Sequence, residues 1–351
     1  MTKKYGNLWK EVTSMSNLMR AYKESRKGKS NKPGVRMVDA NPIPFLKEVQ
    51  RLLITKEYRS GTYRGFIVHE RNKDREVFDI DYFPHRIVHW ALMLVIRPIL
   101  MDYIGDHSYA AMQGRGSHQA LSKLKQYLRK DPEGTRYCFK MDVKKYFPSI
   151  IQEILIRKLE RKIKDPDVMW LCKEIIYGYE GPGLPIGNYT SQYFANYYLA
   201  DVDRYMKQKW HCHYYLRYMD DIIVLGSSKS WLHRVQRKME SLLKENGLTM
   251  KPNWQIFQVE DRGVDFVGYR TFHHLCIVRK QTKYRIKKVC RRLSVKINEG
   301  RGLDVHDVGS MVSYKGVLMW CNGFRLAKLT ILDILEKGGM NERTDWTYLD
   351  G

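Results

Sequence analysis

Apolar positions recur at helical spacing along much of the chain and give way to short β-rich runs in a few places. The spacing predicts a first helix over about Leu8 to Ser25, then a Lys/Gly/Pro-rich loop from Arg26 to Pro42, then a helix from Phe45 to Leu53. Tyr63–Val68 and Glu76–Ile80 read as two strands around a charged turn, Glu70–Arg75. His85–Met101 is a long apolar helix, and Gln119–Lys130 an amphipathic one. Arg136–Val143 is a strand that ends on an aspartate. Tyr189–Trp210 is a long helix after the glycine-rich loop Gly181–Gly187. Tyr214–Leu225 is two apolar β-rich runs split by Asp220-Asp221, a hairpin with acids at its turn. Ser230–Asn246 follows as a helix and Gln255–Val259 and Val264–Phe272 as strands; from Lys280 on the chain is helical and very basic. This order predicts an α+β fold with an antiparallel sheet rather than a doubly wound one, and the compositional shift near residue 275 marks a domain boundary.

Charge changes the picture. The 351 residues carry 62 Lys+Arg against 38 Asp+Glu, a net charge of +24, with 43% hydrophobic residues to build a core. A folded chain this basic, with 24 Tyr, 8 Trp and 11 Phe, fits a nucleic-acid partner: cations neutralise phosphates and rings stack on bases. The alternative is a basic protein whose charge has no specific role. The longest apolar run, Trp90 to Ile96, is shorter than the ~20 residues a membrane span needs, and no charged-then-apolar leader opens the chain. Neither secretion nor a membrane partner is expected. Six scattered cysteines without a C-x-x-C argue against a disulfide framework or a zinc ribbon and suit a reducing cytoplasm. The glycine-rich loop lacks the residue order of a P-loop.

The candidate chemistry lies in three acids. Asp142 ends one β-rich run and Asp220-Asp221 split another, although buried strands seldom carry acids. If the strands are neighbours, the carboxylates converge and need a divalent cation to neutralise them. With oxygen ligands alone, that cation is Mg²⁺ or Mn²⁺, and a pair of ions suits in-line phosphoryl transfer. The competing reading of Asp220-Asp221 is a plain hairpin turn, since Asp favours turns.

The motifs themselves resemble a known family. Arg217-Tyr218-Met219-Asp220-Asp221 is similar to the Y-x-D-D box of reverse transcriptases. Phe139-Lys140-Met141-Asp142-Val143-Lys144-Lys145-Tyr146-Phe147 resembles their first catalytic motif. Ser108-Tyr109-Ala110 through Gly114–Leu121 resembles the fingers segment of bacterial members, and Val264-Asp265-Phe266-Val267-Gly268-Tyr269 the primer-grip hairpin. The resemblance runs from about residue 5 to 335, in order. It implies a right-hand polymerase: an N-terminal extension over 1–45, fingers over 46–135 with 150–185, palm over 136–149 and 186–275, a helical thumb over 276–340, and a tail over 341–351. Within the family, Leu184-Pro185-Ile186-Gly187-Asn188-Tyr189-Thr190-Ser191-Gln192 departs from most bacterial relatives. They have Gln before that glycine and Pro after that serine, where this chain has Ile186 and Gln192. The pattern G-x-x-x-S-Q is similar to reverse transcriptases of diversity-generating retroelements. These copy a template-repeat RNA with frequent errors at adenine.

The resemblance implies a role for each motif residue. Asp142, Asp220 and Asp221 are catalytic and hold two Mg²⁺ ions (Mn²⁺ as substitute), with the Val143 carbonyl as an extra ligand. Lys73, Arg75, Phe147, Ile186, Gly187 and Gln192 face the incoming dNTP, Phe147 excluding a 2′-hydroxyl by bulk. Tyr218, Met219, Phe266, Gly268, Tyr269, Lys287, Lys288, Arg291 and Arg292 hold the RNA/cDNA template–primer duplex. Simpler readings stand beside these: a solvated turn for Lys73 and Arg75, a core aromatic for Phe147, packing for Ile186, and an ordinary exposed face for the basic helix. The family's proton-donor lysine is displaced here, at Lys251. The implied partners are the template-repeat RNA and a small basic helical accessory protein, often a pentamer, in a bacterial or phage-encoded cytoplasmic system. The alternatives are a retron or group II intron-type enzyme and a catalytically silent RNA-binding scaffold on the same fold.

Overall fold

Ser14 breaks the first expected helix in two. Its side chain accepts the Asn17 backbone N–H and so starts a new helix, α2, with two residues between it and the end of α1. The computed structural model describes residues 4–70 and 73–334. In chain order the helices are α1 (Trp9–Val12), α2 (Met15–Ser25), α3 (Pro33–Ala40), α4 (Pro42–Ile54), α5 (Ile87–Ile104), α6 (Ser117–Lys130), α7 (Tyr146–Ser149), α8 (Gln152–Glu160), α9 (Pro166–Tyr177), α10 (Tyr189–Tyr198), α11 (Ala200–Gln208), α12 (Lys229–Glu245), α13 (Val259–Arg262), α14 (Lys280–Asn298), α15 (Val305–Met319) and α16 (Phe324–Ala327). The strands are β1 (Arg64–Glu70), β2 (Lys73–Asp79), β3 (Tyr137–Asp142), β4 (Tyr214–Tyr218), β5 (Asp221–Gly226), β6 (Gln255–Gln258), β7 (Val264–Phe266), β8 (Tyr269–Thr271) and β9 (Cys276–Val278).

Several expectations change. The 26–42 loop contains α3, which begins on Pro33, a residue suited to the first helical turn because it has no N–H to leave unpaired. The long helix from Tyr189 is α10 and α11, divided at Leu199. Lys73 and Arg75 lie on β2 rather than in a turn, and the Lys73 side chain is outside the described residues. The expected strand Val264–Phe272 is the hairpin β7–β8, folded back at Val267 and Gly268, both with positive φ. The expected tail, 341–351, and the last residues of the expected thumb are likewise outside the described residues.

The strands form a ribbon, β1–β2, a four-stranded sheet in the order β4-β5-β3-β6, and a three-stranded sheet, β7-β8-β9. The β4–β5 and β3–β6 pairs are antiparallel, as the sequence predicts. The chain divides into two compact units. The first holds the residues up to Met112 with Met141–Cys212 and Val235–Asn253, and the second Gln113–Lys140, His213–Arg234 and the chain from Trp254 on. The division does not fall near residue 275.

Helix α5 is the centre of the first unit. Val88, Ala91, Leu92, Met93 and Ile96 are fully buried, and α2 and α10 pack against it. Asn17 of α2 donates to the Ala91 carbonyl at 3.0 Å, and Trp90 stacks on Tyr189 at 3.9 Å. With the residues leading into it, Tyr82–Ile104 is long and apolar enough to cross a membrane, which corrects the shorter run read from sequence, and its window is mostly buried by protein. In the second unit, α14–α16 close over a core of Ile286, Cys290, Leu293, Met311, Leu318 and Ile331, joined by Leu121 of α6 and Tyr269 of β8. Ile286, Cys290 and Leu293 recur at helical spacing, so one face of α14 is buried and the rest is free to carry charge.

Candidate active site

In the second unit, the register pairs Tyr218 with Asp221 and leaves Met219 and Asp220 as a two-residue turn. Such a turn needs left-handed backbone, and Met219 has φ 59°. Arg217 supports it from beneath. Its side chain is fully buried, and Nη1 donates to the Met219 carbonyl at 3.1 Å. A guanidinium is buried only where hydrogen bonds meet it, so the bond ties the turn to the strand interior. Asp221 opens β5, and its Oδ2 lies 3.0 Å from Lys140 Nζ. Lys140 also donates to the carbonyl of Asp265 in β7. Strand β5 is the sheet neighbour of β3, which carries Lys140.

In the first unit, the residues after β3 run beside Thr249–Lys251. Val143, fully buried, bridges Met250; Lys144 N–H donates to Thr249 at 2.8 Å, and Lys251 N–H to the Asp142 carbonyl at 2.8 Å. This pairing brings Lys251 Nζ to 3.5 Å from Asp142 Oδ1. The lysine that is displaced in the sequence pattern thus still sits on the first acid.

The residues expected around the nucleotide are also in this unit. Tyr146 and Phe147 divide their roles: Tyr146 is buried and donates to the Ala195 carbonyl, while Phe147 is half-buried. The loop before α10 is pinned at two points, with Leu184 N–H donating to the Phe147 carbonyl at 3.0 Å and Phe78 N–H to the Ile186 carbonyl at 2.8 Å. Phe78 is on β2, the strand that carries the exposed Arg75. Gly187, at φ +112°, leaves room for that strand, since a Cβ there would stand 2.8 Å from Val77 and 3.0 Å from the Phe78 carbonyl. Ile186 is half-buried, and Gln192 lies in the first turns of α10, its carbonyl accepting from Asn196.

The expected duplex-holding residues separate into two kinds. Phe266 is fully buried and Tyr269 is 3% exposed, its hydroxyl donating to Val317 at 3.0 Å. Alternation along β7 and β8 turns both rings into the core, so they offer no surface to a duplex and instead fix the turn between them. Gly268, at φ +97°, has open space beyond it. Tyr218 is half-buried and edges onto Phe266 at 6.4 Å. On α14, Lys287, Lys288 and Arg291 are exposed and make no ion pair among the described residues. Arg292 differs: it pairs with Asp307 at 3.1 Å, which draws part of its charge inward.

Sequence reasoning gave no role to Lys140 and Arg217, whose bonds hold the acid-bearing hairpin. Lys140 had a signal: it stands two residues before Asp142 on one strand, hence on the same face. A separate group, Asp304, His306 and Asp307, has ligand atoms within 4.8 Å of one another. Its carboxylates serve the α15 capping box and take ion pairs from Lys296 and Arg292.

The family described as reverse transcriptase (RNA-dependent DNA polymerase) matches residues 80–271, more than half of the chain. Protein YkfC of Escherichia coli strain K12 is 23% identical over 310 residues, which cover 74% of this chain and 79% of that protein. The group II intron-encoded protein LtrA of Lactococcus lactis is 25% identical over 199 residues, 52% of this chain and 32% of LtrA. Among solved structures, apo telomerase from Candida tropicalis aligns with a TM-score of 0.51 at 13% identity, covering 84% of this chain and 64% of that one. The chain thus spans most of YkfC, about a third of LtrA and under two thirds of the telomerase chain. The telomerase likeness shows the fold, the right-hand polymerase expected from the motifs. The chain belongs to the reverse transcriptase family, whose members are RNA-directed DNA polymerases and so nucleotidyltransferases.

Proposed function

We propose that the protein is the RNA-directed DNA polymerase of a diversity-generating retroelement, copying a template-repeat RNA into cDNA with frequent errors at adenine. One observation carries this reading: the loop whose residues depart from most bacterial relatives, Ile186-Gly187 with Gln192 beyond, is hydrogen-bonded to the strand that bears Arg75. A change of side chain there alters the wall of the proposed nucleotide pocket and leaves the backbone where it is.

Asp142, Asp220 and Asp221 offer carboxylate oxygens alone, a donor set that fits Mg²⁺, with Mn²⁺ as substitute. When bound, such ions stabilise the attacking and leaving oxygens of an in-line phosphoryl transfer. The chain's own residues do the rest. Arg75 holds triphosphate oxygens with a guanidinium fork. Phe147 closes the sugar edge against a 2′-hydroxyl. Ile186 gives the pocket wall van der Waals contact where a glutamine would supply hydrogen bonds. Lys287, Lys288 and Arg291 track the duplex phosphates. The RNA's charge also lets a small basic accessory protein sit beside this basic chain.

A second reading, a group II intron-type enzyme, is favoured by the match to LtrA. The two part on fidelity. Purified protein, alone or with its accessory protein, is given an RNA template and primer, and the cDNA is sequenced. Misincorporation concentrated at template adenines supports the retroelement reading; a uniformly low error rate favours the intron-type reading.

A further inference from the structure

Lys140 lies at a junction that the family motifs do not explain. Its ammonium bonds both the Asp221 carboxylate, at 3.0 Å, and the Asp265 carbonyl. Both partners of the ion pair are largely withdrawn from solvent, with 19% of the Lys140 side chain and 20% of the Asp221 side chain exposed. Asp265 is tied in turn: its carboxylate pairs with Arg279, the residue just before α14, and Arg279 N–H donates to the Gly268 carbonyl at 3.2 Å. An acid of the catalytic hairpin is thereby linked, through one lysine, to the β7–β8 hairpin and to the first residue before the basic helix.

The charge arithmetic gives the link a consequence. A divalent cation on Asp221 meets the repulsion of an ammonium already bonded to the same carboxylate, and screening between partly buried groups is weaker than in water. A lysine held only by the acid would swing away. Lys140 has the Asp265 carbonyl as a second acceptor, so it stays and competes.

We propose that Lys140 is a positioning residue: the counter-ion of Asp221, which weakens divalent-cation binding at that acid and holds it in register with the 264–271 hairpin. The inference rests on the proposed role of the three acids, and its test separates the two.

The full chain, without nucleic acid, is titrated with Mn²⁺, and free Mn²⁺ is read by electron paramagnetic resonance. Lys140→Met keeps the length of the side chain and removes its charge, and it binds Mn²⁺ about three- to tenfold more tightly than wild type, the size expected when a counter-ion leaves a partly buried carboxylate. Lys140→Arg keeps the charge and binds within about twofold of wild type. Lys140→Gln replaces Lys140→Met if the latter does not melt as a folded protein. Primer extension adds a second readout: kcat falls in Lys140→Met, with KM for dNTP nearly unchanged, because the acid has lost its tie to the hairpin. Equal or weaker Mn²⁺ binding by the uncharged variants overturns the inference. Asp142→Asn and Asp221→Asn separate the outcomes. If both bind Mn²⁺ like wild type, the metal role of the acids is what fails. If both lose Mn²⁺ while Lys140→Met is unchanged, only the lysine's role fails.

Discussion

The acid hairpin of the second unit and the Leu184–Gly187 loop of the first hold their shape in opposite ways. In the hairpin, position comes from strand register and from side chains: Tyr218 opposite Asp221, Arg217 under Met219, Lys140 on Asp221. In the loop, position comes from the backbone: Leu184 N–H on the Phe147 carbonyl and the Ile186 carbonyl on Phe78 N–H. Where side chains both carry the chemistry and set the geometry, a substitution damages both. Where the backbone sets the geometry, a side chain can change and alter selectivity without moving the wall. The comparison predicts which changes abolish synthesis and which only retune it.

The largest effect falls on the acids. Asp142→Asn or Asp221→Asn lowers the rate of primer extension by about 10²- to 10³-fold or more, since metal stabilisation of the transferring phosphoryl group is worth several kcal/mol. Melting temperatures near wild type are expected alongside, and single-turnover assays at saturating Mg²⁺ give the rates.

Next is the loop's backbone. Gly183 has φ +75°, and a Cβ there would stand 2.0 Å from the Phe147 carbonyl oxygen. Gly183→Ala therefore costs about 1–3 kcal/mol of stability and lowers extension, because it displaces the loop rather than one side chain. Thermal unfolding measures the first and steady-state extension the second. An unaltered enzyme would show that the loop is not held as the comparison requires.

The duplex grip is a smaller and graded effect. Each phosphate contact contributes about 0.7–0.9 to the log–log salt slope of binding, so neutralising Lys287, Lys288 and Arg291 together lowers it by about 2–3. Arg292, already paired with Asp307, adds less than any of the three. Filter binding of a template–primer across salt concentrations decides it, and an unchanged slope removes α14 from the duplex interface.

Ile186→Gln is the mildest change at the site. It leaves the loop's backbone bonds intact and adds a hydrogen-bonding side chain worth about 0.5–1.5 kcal/mol, or several-fold in selectivity. Fidelity opposite template adenine rises more than opposite other bases. Equal adenine error rates in matched sequencing runs would reduce Ile186 to packing.

A pH effect arises away from both regions. His89 in α5 is fully buried, and burial, helped by Arg86 and His85, pushes its pKa down to about 3. Below the ordinary value near 6.5 the unfolded chain takes up a proton that the folded one refuses. Stability is therefore complete above that value and falls by about 1.4 kcal/mol per pH unit below it. Unfolding midpoints between pH 7.5 and 5.5 fall less in His89→Gln than in wild type.

The three acids stand out in the sequence because buried strands seldom carry acids. The antiparallel sheet was legible from the order of the elements and from the hairpin split by Asp220-Asp221. What stayed hidden depended on contacts between distant segments. Nothing in the run from Tyr189 announces the break at Leu199, since the apolar spacing continues through it. The motif names Phe266 and Tyr269 without showing their burial, which comes from the alternation along β7 and β8 that turns both rings inward. Lys251 looked displaced in the pattern, yet the pairing of 142–144 with 249–251 carries it to Asp142. Lys140 has no role that its own motif reveals, because its partners lie 81 and 125 residues away.

The central claim is that DNA synthesis on RNA depends on the carboxylates of the β4–β5 turn and not on the fold alone. Its most direct test is the yield of full-length cDNA from an RNA template by wild type and Asp220→Asn, at matched protein, template–primer, dNTP and Mg²⁺, with template–primer affinity measured in parallel. Wild type extends the primer, while Asp220→Asn binds it equally well and makes no cDNA above background. Near wild-type cDNA from Asp220→Asn would contradict the claim.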